Sequence, residues 1–188
     1  MTRLIPALAA CLIVAGCASP APPTISNRDI NRAFADASRI SRLPETLVGD
    51  LPFGSATYNG QVGADISGDL QGSMLGDMSM VVGFNTNRVG GSISNLNLID
   101  QNGRPDQALG GNLTIGGSEN QGAIGAGATG TITGVESGGS AFSSDVILNM
   151  QGSVRDDRGR GDAVFGTVNG AAVGNVNLGI DGVFFGNR

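Results

Sequence analysis

The chain has 188 residues, a net charge of −5, 32 glycines, one Tyr, no Trp and no His. All of its basic residues are Arg, and an acidic chain with one Tyr lacks both the cationic footprint and the stacking platform of a nucleic-acid binder. Without His it lacks the commonest general base, transition-metal ligand and pH switch, which argues against an enzyme and against a resident cofactor.

The N-terminus opens with Arg3 and an apolar run from Leu4 to Gly16, the order of an export signal. The run is shorter than the about 20 residues that span a bilayer. It ends in Val14–Ala15–Gly16–Cys17. This tetrad resembles the lipobox of bacterial lipoproteins, in which the signal is cut between Gly16 and Cys17 after the Cys17 thiol has taken a diacylglyceryl group. The resemblance implies a lipid anchor at Cys17, and Ala18–Ser19, in place of a retention Asp, implies the outer membrane. Cys11 would leave with the signal and Cys17 would be consumed by lipid. The mature chain would then hold no thiol for a disulfide, zinc or an iron–sulfur cluster. Loss of Arg3 would make it one charge more negative.

Pro20, Pro22 and Pro23 mark an extended tether. Ser26 and Asp29 then have the spacing of a capping box. Ile30, Ala33, Phe34, Ala37 and Ile40 follow at helical period and predict an amphipathic helix over 27–41, ending before Pro44. Arg28, Arg32, Arg39 and Arg42 fall on one side of it, as a solvated face or a contact for anionic membrane phosphates.

From Gly49 onward the character changes, for all glycines but Gly16 lie there. Eight strand candidates are read at 55–64, 73–84, 88–99, 109–116, 123–134, 143–153, 162–169 and 174–186. Several alternate with period two. Met74, Met78, Met80, Val82 and Phe84 share a face, Val146, Leu148 and Met150 another, and Val176, Leu178, Ile180 and Phe184 a third. Turns are expected at Asn102–Gly103, Gly116–Gly117, Gly138–Gly139 and Asp157–Arg158–Gly159. The expected fold is all-β: a soluble eight-stranded antiparallel up-and-down β-barrel, preceded by signal, tether and one short helix. A sandwich is the weaker alternative, and one Tyr without Trp cannot build the aromatic girdles of a membrane-spanning barrel. The chain divides into 1–16 (signal), 17–48 (lipidated Cys, tether and helix) and 49–188 (barrel).

Within the barrel, Tyr58–Asn59–Gly60, Val82–Gly83–Phe84, Val89 to Leu96, Gly127 to Gly134, Ala163 to Ala171 and Gly182–Val183–Phe184–Phe185–Gly186 form a Gly-aliphatic pattern. Together with the lipobox this resembles the C-terminal barrel of transferrin-binding-protein-B-like lipoproteins over roughly 55–188. The chain departs from that family at Val168–Asn169, where an aromatic precedes the glycine, and at Val173–Gly174, where a Glu is expected. It also lacks a large N-lobe. The resemblance implies a non-enzymatic surface lipoprotein that binds a protein partner or a small iron- or haem-type cargo through its loops. It transfers no binding residue. The alternatives are a structural outer-membrane scaffold and a lipocalin-like carrier of a small apolar ligand.

Other residues could carry chemistry. Asp156–Asp157 with Arg155, Arg158 and Arg160 is the densest charge cluster, readable as a cation or partner site or as a solvated turn. Asp65, Asp69 and Asp77 supply oxygens for calcium without the spacing of a known loop. Gly122, Gly125 and Gly127 mimic a phosphate loop without the strand–helix context such loops need. Met74, Met78 and Met80 are core or a flexible ligand wall. Tyr58 packs at the barrel's start or ligates haem iron.

Overall fold

The computed structural model describes residues 18–157 and 159–188. The signal, the Gly16–Cys17 cleavage site, the lipidation site at Cys17 and Arg158 lie outside the described residues. The order is α1 (Asn27–Ile40), a 3-10 turn (Val48–Asp50), then β1 (Ser55–Gly68), β2 (Gly72–Gly83), β3 (Arg88–Ile99), β4 (Pro105–Ala108), β5 (Leu113–Asn120), β6 (Ala123–Val135), β7 (Ala141–Arg155), β8 (Ala163–Gly174) and β9 (Leu178–Asn187). Every neighbouring pair is antiparallel, and β1 pairs with both β2 and β9, which closes the sheet into a barrel. Among the described residues no helix is long and apolar enough to cross a membrane.

Nine strands make an eight-stranded barrel because β4 and β5 are two pieces of one wall strand. Both pair with β3, β5 along 88–93 and β4 along 97–99. Residues 109–112 interrupt them. Gly111 has φ +100°, and a Cβ there would collide with the Thr131 carbonyl, so glycine lets the chain pass close to β6. Within β4 the buried Gln107 stands in for a peptide group. Its amide Nε2 donates to the Val135 carbonyl at 2.6 Å, and its Oε1 accepts from the Val135 N–H at 3.0 Å. The wall is thereby sealed where backbone pairing fails.

Three sequence expectations need correction. The candidate 109–116 lies too early, because β5 runs to Asn120 and Gly116–Gly117 sits inside it. The turn is instead Gln121–Gly122, with φ 51° and 90°, the two positive values a tight hairpin requires. The junction between the last two candidates also moves: β8 runs to Gly174, and Val176 lies in the turn before β9.

Inward positions form one apolar core that includes Tyr58, Met80, Ile93, Leu96, Leu113, Ile132, Leu148, Met150 and Phe184, all fully buried. Side chains therefore fill the lumen. Outward positions of the central strands are largely Asp, Asn, Gln, Ser, Thr and Gly, so the barrel is apolar inside and polar outside, the reverse of a membrane-spanning wall.

A second apolar cluster sits on the outside. Ala33 and Ile40 of α1 pack with Leu75, Ile99, Ala163 and Phe185 of the wall. The capping box is formed. Ser26 Oγ accepts from the Asp29 N–H at 3.4 Å, and Asp29 Oδ2 accepts from the Ser26 N–H at 2.9 Å. The Ser26 hydroxyl also donates to Asp29 Oδ2 at 2.6 Å, and this bond first, then that from the Ser26 N–H, holds the Asp29 carboxyl below its ordinary range. The Pro-rich segment before α1 is bound to the wall. The Ala108 N–H donates to the Ala21 carbonyl at 3.0 Å, and the Thr24 N–H to Oδ1 of the buried Asn97 at 2.8 Å.

Candidate functional site

Strand direction divides the barrel into two ends. Ala18–Thr24 and the turns 69–71, 100–104, 136–140 and 175–177 lie at the near end, where Pro20 shares a cleft with Asp69, Gln101 and Glu136. The helix then carries the chain along the wall to the far end, where the segment 41–54 and the turns 84–87, 121–122 and 156–162 lie.

At the far end the segment after α1 is stitched to β7. The Thr46 N–H donates to the Val154 carbonyl at 3.0 Å and the Asp156 N–H to the Pro44 carbonyl at 2.9 Å. Arg155 donates from Nη1 to the Leu43 carbonyl at 3.2 Å, lies 3.8 Å from Glu45 Oε1, and stacks over Phe165 at 5.9 Å from the ring centre. The chain then crosses the barrel mouth. Leu51 packs against the lumen core, but Leu47, Val48 and Phe53 project, at 72%, 59% and 101% exposure. Leu51 and Phe53 differ because one faces into the mouth and the other away from it. Beside this overhang an open groove of about 730 Å³ runs over β5 to β8, walled by Glu45, Gln121, Gln151, Arg155, Phe165 and Thr167. Its lining is mostly polar: amides, the paired charges of Glu45 and Arg155, and the Phe165 ring.

The residues singled out from sequence are dispersed. Tyr58 is fully buried and donates its hydroxyl to the Gly161 carbonyl at 2.8 Å, and burial raises its pKa well above the ordinary phenol value. Both the burial and the bond withhold it from an iron. Met74, Met78 and Met80 are core. Asp65 accepts from Ser73 Oγ at 3.0 Å, Asp69 from the Asn177 N–H at 2.8 Å and Asp77 from Asn95 Nδ2 at 2.8 Å, so each carboxylate braces a separate place. No group of His, Cys, Asp and Glu among the described residues is arranged to hold a metal ion. Gly122 occupies a hairpin turn and Gly125 and Gly127 lie in β6, so no helix N-terminus follows them.

The charge cluster is a structural brace. Asp156 Oδ1 accepts from the backbone N–H groups of Gly159 and Arg160, forming the turn. Asp157 Oδ2 and Asn187 Oδ1 each accept from the Arg39 guanidinium at 3.0 Å, which fastens the end of α1 to the barrel. Arg32 bridges to Asp29 and Arg42 donates to Ser38, while Arg28, Arg32, Arg39 and Arg42 remain exposed. The exposed tips Leu47, Val48 and Phe53 were missed. Their only sequence signal is an apolar cluster around Gly49 and Pro52 in a stretch without strand alternation.

No protein-family model, curated protein or solved structure matches the chain.

Proposed function

We infer that this chain is a non-enzymatic envelope lipoprotein, anchored in the outer membrane through Cys17, that presents the far end of its barrel to a protein partner. This is the role that its resemblance to transferrin-binding-protein-B-like lipoproteins implies. The observation that carries the reading is the placement of Leu47, Val48 and Phe53. They are the exposed apolar tips of the end opposite Ala18, and Ala18 follows the anchor residue directly. Large exposed apolar side chains grouped at a rim of Gln, Glu and Arg are the composition of a docking surface. The side-chain-filled lumen weighs against an interior carrier, so a haem- or iron-type cargo would be held by loops.

The test is capture by the lipid-free chain 18–188 and by its Leu47→Ser, Val48→Ser, Phe53→Ser triple variant, from host serum and from envelope extract. A protein retained by the first and lost from the second supports the reading, and its source separates a host partner from an envelope scaffold. Equal capture by both, or none, sinks it. A haem absorbance band that survives gel filtration would place cargo binding first. Cys17→Ser should move the full-length protein from membrane to soluble fractions, and continued partition with membranes would remove the anchor from the account.

A further inference from the structure

Helix α1 packs on the barrel wall through Ala33 and Ile40, which share a cluster with Leu75 and Ile99 of β2 and β3 and with Ala163 and Phe185 of β8 and β9. Beside this contact an open groove of about 350 Å³ remains between the helix and β1, β2 and β9. Ile30, Phe34 and Ala37 form the helix side of this groove, and Leu75 and Val183 the barrel side. Phe34 is 78% exposed at the lip, an uncovered aromatic at the mouth of an apolar slot.

The groove has one charged edge. Asp65 of β1 and Asp181 of β9 both line it and are direct partners in the β1–β9 register. Like charges placed opposite each other in a sheet destabilise it. Among the described residues no basic side chain lines the groove, and Arg32 of the helix is engaged by Asp29 at 3.8 Å. Apolar walls beside two facing carboxylates suit a ligand that carries an apolar group next to a cation.

We propose that this groove docks a partner's peptide segment in which a large apolar side chain is followed by Lys or Arg. The apolar group fills the slot between Phe34, Leu75 and Val183, and the cation settles between Asp65 and Asp181. The same edge disfavours a lipid, since a phosphate or carboxylate head would meet two like charges. The groove lies on the side of the barrel, so it is separate from the far-end tips and does not depend on the anchor.

The experiment is fluorescence polarisation with the chain 18–188 and two labelled decapeptides, one containing Phe-Arg-Leu-Arg and the other Phe-Glu-Leu-Glu in the same Gly-Ser frame. The cationic probe should bind saturably. Binding should weaken by about tenfold or more in Asp65→Asn/Asp181→Asn and again in Phe34→Ser, while Asp145→Asn on β7 leaves it unchanged. These substitutions are at exposed positions, so circular dichroism should show the fold intact. Equal binding of the acidic probe, unchanged binding in both groove variants, or no saturable binding up to about 1 mM overturns the proposal.

Discussion

Phe184 and Phe185 are adjacent in the chain and belong to different cores. Phe184 points into the lumen, where it meets the bare backbone of β7 and β8; a Cβ on Gly152 would lie 2.7 Å from its ring. Phe185 points outward, opposite Phe165 on β8, and is buried only because α1 lies over it. The lumen is enclosed by every strand of the barrel and has no room to contract. The outer cluster is enclosed by one helix, which can settle inward. Equal side chains of equal burial are thus held by walls of unequal stiffness.

Four substitutions probe that difference. Phe184→Ala should cost about 3–5 kcal/mol, because a closed barrel cannot collapse around the void. Phe185→Ala should cost about 2 kcal/mol, below the usual range for a buried Phe, as α1 moves toward the wall. Denaturant midpoints at constant m value measure both, and equal losses would abolish the distinction. Gln107→Leu keeps the volume but strands the Val135 N–H and carbonyl, and should cost about 1–3 kcal/mol. Hydrogen exchange should then quicken at Val135 before it quickens in β7, showing that the lumen opens first at its seam.

The smallest effect tests the helix alone. Ser26→Ala should cost about 1 kcal/mol and fray the start of α1. The Asp29 carboxyl titrates below its ordinary value when folded. The cap's contribution is therefore whole at neutral pH, above the unfolded carboxylate's titration, and is lost as pH falls through the folded value. NMR titration should show Asp29 returning toward the ordinary range in Ser26→Ala. An unmoved titration would mean that Ser26 does not set it.

Much of this was legible beforehand. The alternation in Met74–Phe84 and Val146–Gln151 predicted which side chains enter the lumen, and Ser26 with Asp29 predicted the helix start. The broken wall strand was not legible. Gln107 and Pro105 read as loop because a side-chain amide replacing a backbone group leaves no periodic trace. Gly116–Gly117 read as a turn because glycine also serves close approach inside a strand. The candidate site was legible least. Asp156 and Asp157 were readable as a ligand cluster or as a turn, and the turn is what forms, with Asp156 held by the backbone and Asp157 by Arg39. Leu47, Val48 and Phe53 looked like ordinary apolar residues until the rest of the chain left them uncovered.

Local chemistry by itself determined the helix, its cap, the barrel class and the inward face of most strands, since each follows from a repeat of two or 3.6 residues or from a bond three residues long. Only the tertiary structure decided that Ala21 and Thr24 lie against the wall, that Gln107 seals it, that Phe185 is covered and that Phe53 is not. Those outcomes depend on which distant surfaces meet, and contact between residues far apart in the chain is set by closure of the whole sheet.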